Sequence, residues 1–123
     1  MCIRDRNRYQ HPVEEAEKVI LKKGNVVRIG KFINPNEAHG EFIGMVKFSK
    51  KGSRILKRVY KDAKEKHGNM AFQAAPSIEK AYLTDMFQEI IDRGYKVLSF
   101  NINGDWIELD TEEDLKRASK LYK

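Results

Sequence analysis

The sequence has one cysteine, Cys2, so it can form neither an internal disulfide nor a cysteine-based metal centre, and nothing calls for an oxidising compartment. Proline and glycine are sparse, at 3 and 8 of 123 residues, which excludes a collagen-like or low-complexity chain. No run approaches the ~18 to 20 consecutive apolar residues of a membrane span. No basic leader precedes an apolar run with a small-residue cleavage site. The expected location is therefore cytoplasmic, with no membrane partner. G-x-S-x-G, the P-loop and G-x-G-x-x-G are also missing, which removes serine-hydrolase chemistry and a self-contained phosphate cradle. His11, His39 and His67 lie far apart without an H-x-x-x-H pair, so a histidine-based zinc site is not expected.

What remains suffices for one hydrophobic core: 41% of residues are hydrophobic and 10% aromatic. The formal net charge of +6 is not spread evenly. Residues 47–67 carry nine Lys/Arg against two acids, whereas residues 76–123 carry seven against ten. A uniform polyanion-binding surface does not follow from such an arrangement. A nucleic-acid reader interleaves aromatics with basic residues on one exposed face. Helical spacing puts Tyr60 with Ile55, Leu56 and Val59 on the apolar side, so the basic helix reads as a solvated face. A small basic nucleic-acid-binding module is kept as an alternative.

Along the chain, residues 1–7 show no period and read as an unstructured leader or a sequence-assembly remnant, with the domain occupying 8–123. AEKVILKK, a turn at Lys22-Lys23-Gly24-Asn25, and NVVRIGKFI predict a β-hairpin. The near-continuous apolar run in 40–48 predicts a strand buried on both faces, inside the sheet. Ser49 opens a helix that stops at Gly68. Ser77 opens a second helix, with Ile78, Tyr82, Met86, Phe87, Ile90 and Ile91 on its apolar face and Gly94 just past its end. YKVLSFNI predicts a strand, Asn103-Gly104 a hairpin turn, and residues 105–109 the returning strand. Thr111 and Asp114 form a capping box for a last helix. The expected order is β-β-β-α-α-β-β-α, an α/β protein, with no internal repeat.

The chemistry-bearing segment is Trp106-Ile107-Glu108-Leu109-Asp110. Strand alternation puts Trp106, Glu108 and Asp110 on one face, at a strand end before a helix start, where open α/β sheets place ligands. The plainer alternative has Trp106 in the core and Asp110 merely preceding the cap.

RYQHPVEEAEKV (residues 8–19), Ile29-Gly30-Lys31, Gly40-Glu41-Phe42-Ile43-Gly44, Tyr82-Leu83-Thr84-Asp85-Met86-Phe87-Gln88 and WIELDTEEDL (residues 106–115) together resemble the C-terminal half of a nucleotidyltransferase family. That family includes phosphocholine and 2-aminoethylphosphonate cytidylyltransferases, sometimes fused to phosphoenolpyruvate mutase. The resemblance implies the C-terminal part of a Rossmann-like mixed sheet with flanking helices, the nucleotide-binding half being absent. It implies Mg2+-dependent transfer from an NTP, expected to be CTP, to a small phosphate or phosphonate with an amino or choline head group. A sugar-1-phosphate nucleotidylyltransferase is the alternative within the fold. In this resemblance Asp110 matches the second metal carboxylate, which Mg2+ requires where two anions must meet. Lys31 places positive charge near the phosphates. Trp106, Glu108 and Glu41 contact the acceptor, the tryptophan by stacking on its cationic head. Catalysis by this half alone is not expected.

Overall fold

The structure is a computed structural model that describes residues 2–4, 16–102, 104 and 106–122. Its centre is the expected hairpin. Strands β2 (Lys18–Lys22) and β3 (Asn25–Gly30) pair antiparallel, with Val19 opposite Ile29 and Leu21 opposite Val26 across a bulge after Ile20. The turn residues Lys23 and Gly24 both take positive φ, 51° and 77°, the two-residue geometry that matches strand twist. Glycine adopts it freely and lysine does not.

A two-residue strand, β4 (Gly40–Glu41), pairs with β2 on the side opposite β3, giving the order β3-β2-β4. This corrects the expectation for 40–48. Pairing stops at Glu41, β4 is a terminal strand of the described sheet, and Met45 is 60% exposed. Gly44 at φ 83° turns the chain away. The apolar residues of the run serve the core one by one. Phe42 meets Phe87 edge-on at 5.8 Å between ring centroids, and Phe48 meets the same ring at 6.0 Å.

Helix α1 (Lys50–His67) starts where Ser49 Oγ accepts the Gly52 N–H at 3.0 Å and stops at Gly68. It buries Val59 and Ala63, while Tyr60 is 47% exposed, against the expectation that it faces inward. Ser77 precedes only a 3-10 turn, Ile78–Lys80, and the second helix, α2 (Leu83–Asp92), begins after Tyr82. Thr84, Asp85, Met86, Phe87 and Ile90 are buried, whereas Tyr82, expected on the apolar face, is 61% exposed. The core joins Val19, Val26 and Ile29 of the hairpin to Val59, Ala63, Phe72, Met86, Phe87 and Ile90. An Arg93–Asp62 ion pair at 2.7 Å links the end of α2 to α1.

Of the predicted YKVLSFNI strand, only β5 (Ser99–Asn101) is regular. A bridge between Leu98 and Asn25 and the Ser99 N–H to Gly24 carbonyl bond, 3.0 Å, attach it to the start of β3. Strand β1 (Cys2–Arg4) lies within the stretch read as an unstructured leader and pairs in parallel with β5, Ile3 opposite Phe100. Such pairing uses backbone groups alone and leaves no side-chain period to read. Residues 106–110 form no strand, so the returning strand of the predicted C-terminal hairpin is not found among the described residues; its Asn103 and Asp105 lie outside them. Helix α3 (Glu112–Leu121) has the expected capping box, Thr111 Oγ1 accepting the Asp114 N–H at 3.1 Å and Asp114 Oδ2 accepting the Thr111 N–H at 2.9 Å. Among the described residues the protein is thus a small α/β fold built on an antiparallel sheet, with β1 and β5 as its parallel pair. No helix among the described residues is long and apolar enough to cross a membrane.

Candidate functional site

The end of β3 and the start of α2 enclose a cavity of about 280 Å3 lined by Glu17, Lys31, Lys80, Tyr82, Thr84 and Asp85 with the apolar walls Phe32 and residues 74–76. Gly30, at φ 156°, is a position that favours glycine, and there the chain leaves β3 and delivers Lys31 to the rim. The Lys31 ammonium lies 4.5 Å from the centroid of the Tyr82 ring, a cation–π contact. Asp85 is committed to the backbone: Oδ2 accepts the Tyr82 N–H at 2.8 Å and Oδ1 the Ala74 N–H at 3.2 Å. It therefore holds both walls of the cavity in place, the 74–76 loop and the first turn of α2.

Glu17 is the unusual group. Its Oε2 is buried and has no hydrogen-bond partner among the described residues. Burial pushes its carboxyl above the ordinary glutamate range, against the opposing pull of the Thr84 hydrogen bond and the Lys31 charge, while the Asp85 charge adds to the rise. The carbonyl of Glu17 accepts the Phe42 N–H at 2.7 Å, which extends the β2–β4 ladder by one bond and fixes this backbone beside the cavity.

The predicted site residues divide. Lys31 lines the cavity. Glu41 is buried on β4 opposite Lys18, one residue from Glu17 in the ladder. Trp106, half-buried, and Glu108 and Asp110, both exposed, line neither this cavity nor the apolar one described next. Without a strand at 106–110, the alternation that put these three on one face does not apply. The Asp110 N–H donates to Asp114 Oδ2 at 3.1 Å, so Asp110 sits at the entrance of α3. Among the described residues no three His, Cys, Asp or Glu side chains converge as a metal cluster. A second cavity, about 380 Å3, lies between 46–49, α1, α2 and 95–98 and is walled by Val46, Phe48, Ile55, Phe87, Val97 and Leu98.

Glu17, Thr84 and Tyr82 were not singled out by residue chemistry. Glu17 and Thr84 are distant in sequence and obey no local spacing; Thr84-Asp85 at a helix start was the one local signal available. His39 has a structural role, its Nδ1 accepting the Leu21 N–H at 2.9 Å.

Comparison with known proteins gives one informative likeness. The chain is 28% identical over 112 residues to CTP:phosphoglutamine cytidylyltransferase of Campylobacter jejuni, the alignment covering 89% of this chain and 42% of that enzyme. This chain thus spans less than half the length of the relative. No protein-family profile matches it.

Proposed function

We propose that this chain forms the acceptor-binding part of a CTP-dependent nucleotidyltransferase that acts on a small phosphorylated or phosphonate acceptor. The carrying observation is the cavity that gathers Lys31, Lys80, Tyr82, Thr84 and Glu17 at one sheet end, and the likeness to a cytidylyltransferase supports it. In the reaction an acceptor phosphate oxygen bonds to the α-phosphorus of CTP, the bond from that phosphorus to the bridging oxygen breaks, and pyrophosphate leaves. Both reactants are anions. Lys31, and Lys80 on the same rim, supply the positive charge that draws the acceptor phosphate in and holds it. Tyr82 holds the Lys31 side chain at that rim. Glu41 is buried on β4 opposite Lys18, and Trp106 and Glu108 lie in the segment before α3, outside this cavity.

An exposed carboxylate such as Asp110 fits a magnesium site in which one or two carboxylates join substrate phosphates. Asp110 would hold Mg2+, and the bound ion would supply charge neutralisation at the triphosphate. The test joins this chain to the part of the Campylobacter jejuni enzyme that the alignment leaves uncovered and measures pyrophosphate release. CTP should support release with an aminoalkyl phosphate or phosphonate, and ATP and GTP should not. Equal release with all three nucleotides, or none from a folded fusion, contradicts the proposal.

Tyr60 favours a second reading. It is exposed on α1 beside Lys57, Lys61 and Lys64, which restores the aromatic–basic face that a nucleic-acid binder needs. A log–log salt slope near −0.7 per phosphate contacted on single-stranded RNA would support it; salt-independent or absent binding rejects it.

A further inference from the structure

Residues 74–82 supply one wall of the cavity, and both ends of this segment meet at one carboxylate: Asp85 Oδ1 accepts the Ala74 N–H at 3.2 Å and Oδ2 the Tyr82 N–H at 2.8 Å. Asp85 is buried. Between those ends Ile78 seats the 3-10 turn Ile78–Lys80 in the core, and Lys80, the last residue of the turn, stands exposed at the rim. At the far end the Tyr82 ring holds the Lys31 ammonium. Both cations of the rim are thus placed by a segment that Asp85 closes.

Asp85 nevertheless has the wrong sign for an anion site. By Coulomb's law alone its charge repels a phosphate nearby, so removing that charge would tighten binding. Geometry predicts the reverse. The two bonds from backbone N–H groups to the carboxylate are charge-assisted and therefore strong, and opening either one releases the segment and with it the spacing between Lys31 and Lys80. An anion gripped at two points loses affinity once its two cations are no longer held in place.

We infer that Asp85 is a positioning residue for anion binding: through Ala74 and Tyr82 it sets Lys80 and Lys31 at the spacing that grips a phosphate, and this effect exceeds the repulsion of its own charge. On the reading of this cavity as the acceptor site, Asp85 acts on acceptor affinity without touching the acceptor.

The test titrates the 123-residue chain with inorganic phosphate, followed by NMR. Lys31→Met, which removes one cation directly, should weaken binding about 3-fold or more, the scale of an exposed charge pair. Asp85→Asn removes the charge and keeps one acceptor oxygen, so it breaks one of the two bonds. Asp85→Ser leaves a hydroxyl for the start of α2 but cannot span to Ala74. Both should weaken phosphate by about 3-fold as well, and the ring-current displacement of the Lys31 methylene signals by Tyr82 should shrink in both. Unchanged or tighter phosphate binding in a folded Asp85 variant, or Lys31 signals that do not move, overturns the role of Asp85; if Lys31→Met still weakens binding, the acceptor-site reading stands. Failure of both Asp85 variants to fold assigns the residue to stability alone and overturns the role equally. Absence of phosphate binding by the folded, unaltered chain overturns the acceptor-site reading and the role of Asp85 together.

Discussion

The Lys31 ammonium rests 4.5 Å above the Tyr82 ring, joining the end of the hairpin to the start of α2 across 51 residues of sequence. The contact uses the ring and not the hydroxyl. Tyr82→Phe should therefore leave stability within experimental scatter, and Tyr82→Leu should lower it by about 0.5 to 1 kcal/mol, as for other exposed cation–π pairs. Urea denaturation of the three proteins checks this, and an equal loss in the phenylalanine variant contradicts it.

Gln88 on α2 serves as a side-chain extension of the sheet. Its Oε1 accepts the Ile29 N–H at 2.9 Å, and its Nε2 donates to Asp92 Oδ1 at 2.8 Å. Gln88→Leu should cost about 1 to 3 kcal/mol by leaving the Ile29 amide unpaired. Hydrogen exchange at Ile29 should quicken more than at Val26, whose N–H donates to the Val97 carbonyl at 2.7 Å.

Glu17 makes stability depend on pH in a definite direction. Its folded pKa is raised, mainly by burial, so the folded chain holds the proton more tightly than the unfolded chain does. The resulting stabilisation is full below the unfolded value near 4.5 and is lost as pH rises through the folded value. Glu17→Gln removes the buried charge and should melt higher than the unaltered chain at pH 7, with the gap closing below pH 4.5. A gap that widens in acid contradicts the account.

Asp114 has the opposite sign. The Thr111 hydrogen bond, backbone N–H groups of residues 110 and 111 and the Arg117 guanidinium hold its carboxyl below the ordinary value of 3.8. Its contribution is present above 3.8 and lost as pH falls through the lower folded value. Helix α3 should fray in that acid window, and Asp114→Asn should flatten the transition when α3 amides are followed by NMR.

The hairpin, α1 and the α3 cap were legible in the sequence because each rests on signals within a few residues: the branched run at 19–21, Ser49 with Gly68, Thr111 with Asp114. The segment 40–48 misled because apolar content marks burial but not pairing, and Gly44 ends the ladder early. Residues 106–110 alternate as a strand would, yet a strand also needs a partner edge. Lys31 was legible at a strand end. Its neighbours Glu17 and Thr84 were not, since only the packing of α2 against the hairpin brings them together.

The central claim is transfer of a cytidylyl group with Asp110 and Lys31 in service, and pyrophosphate release from CTP tests it most directly. In the fusion carrying the uncovered part of the Campylobacter jejuni enzyme, release should require CTP, an acceptor and Mg2+. Asp110→Asn should slow kcat by about 10² or more, the scale of losing one electrostatic contact to developing charge. Lys57→Ala on the solvated helix should change neither kcat nor KM. Equal rates for the Asp110→Asn and unaltered fusions across a Mg2+ titration would contradict the account.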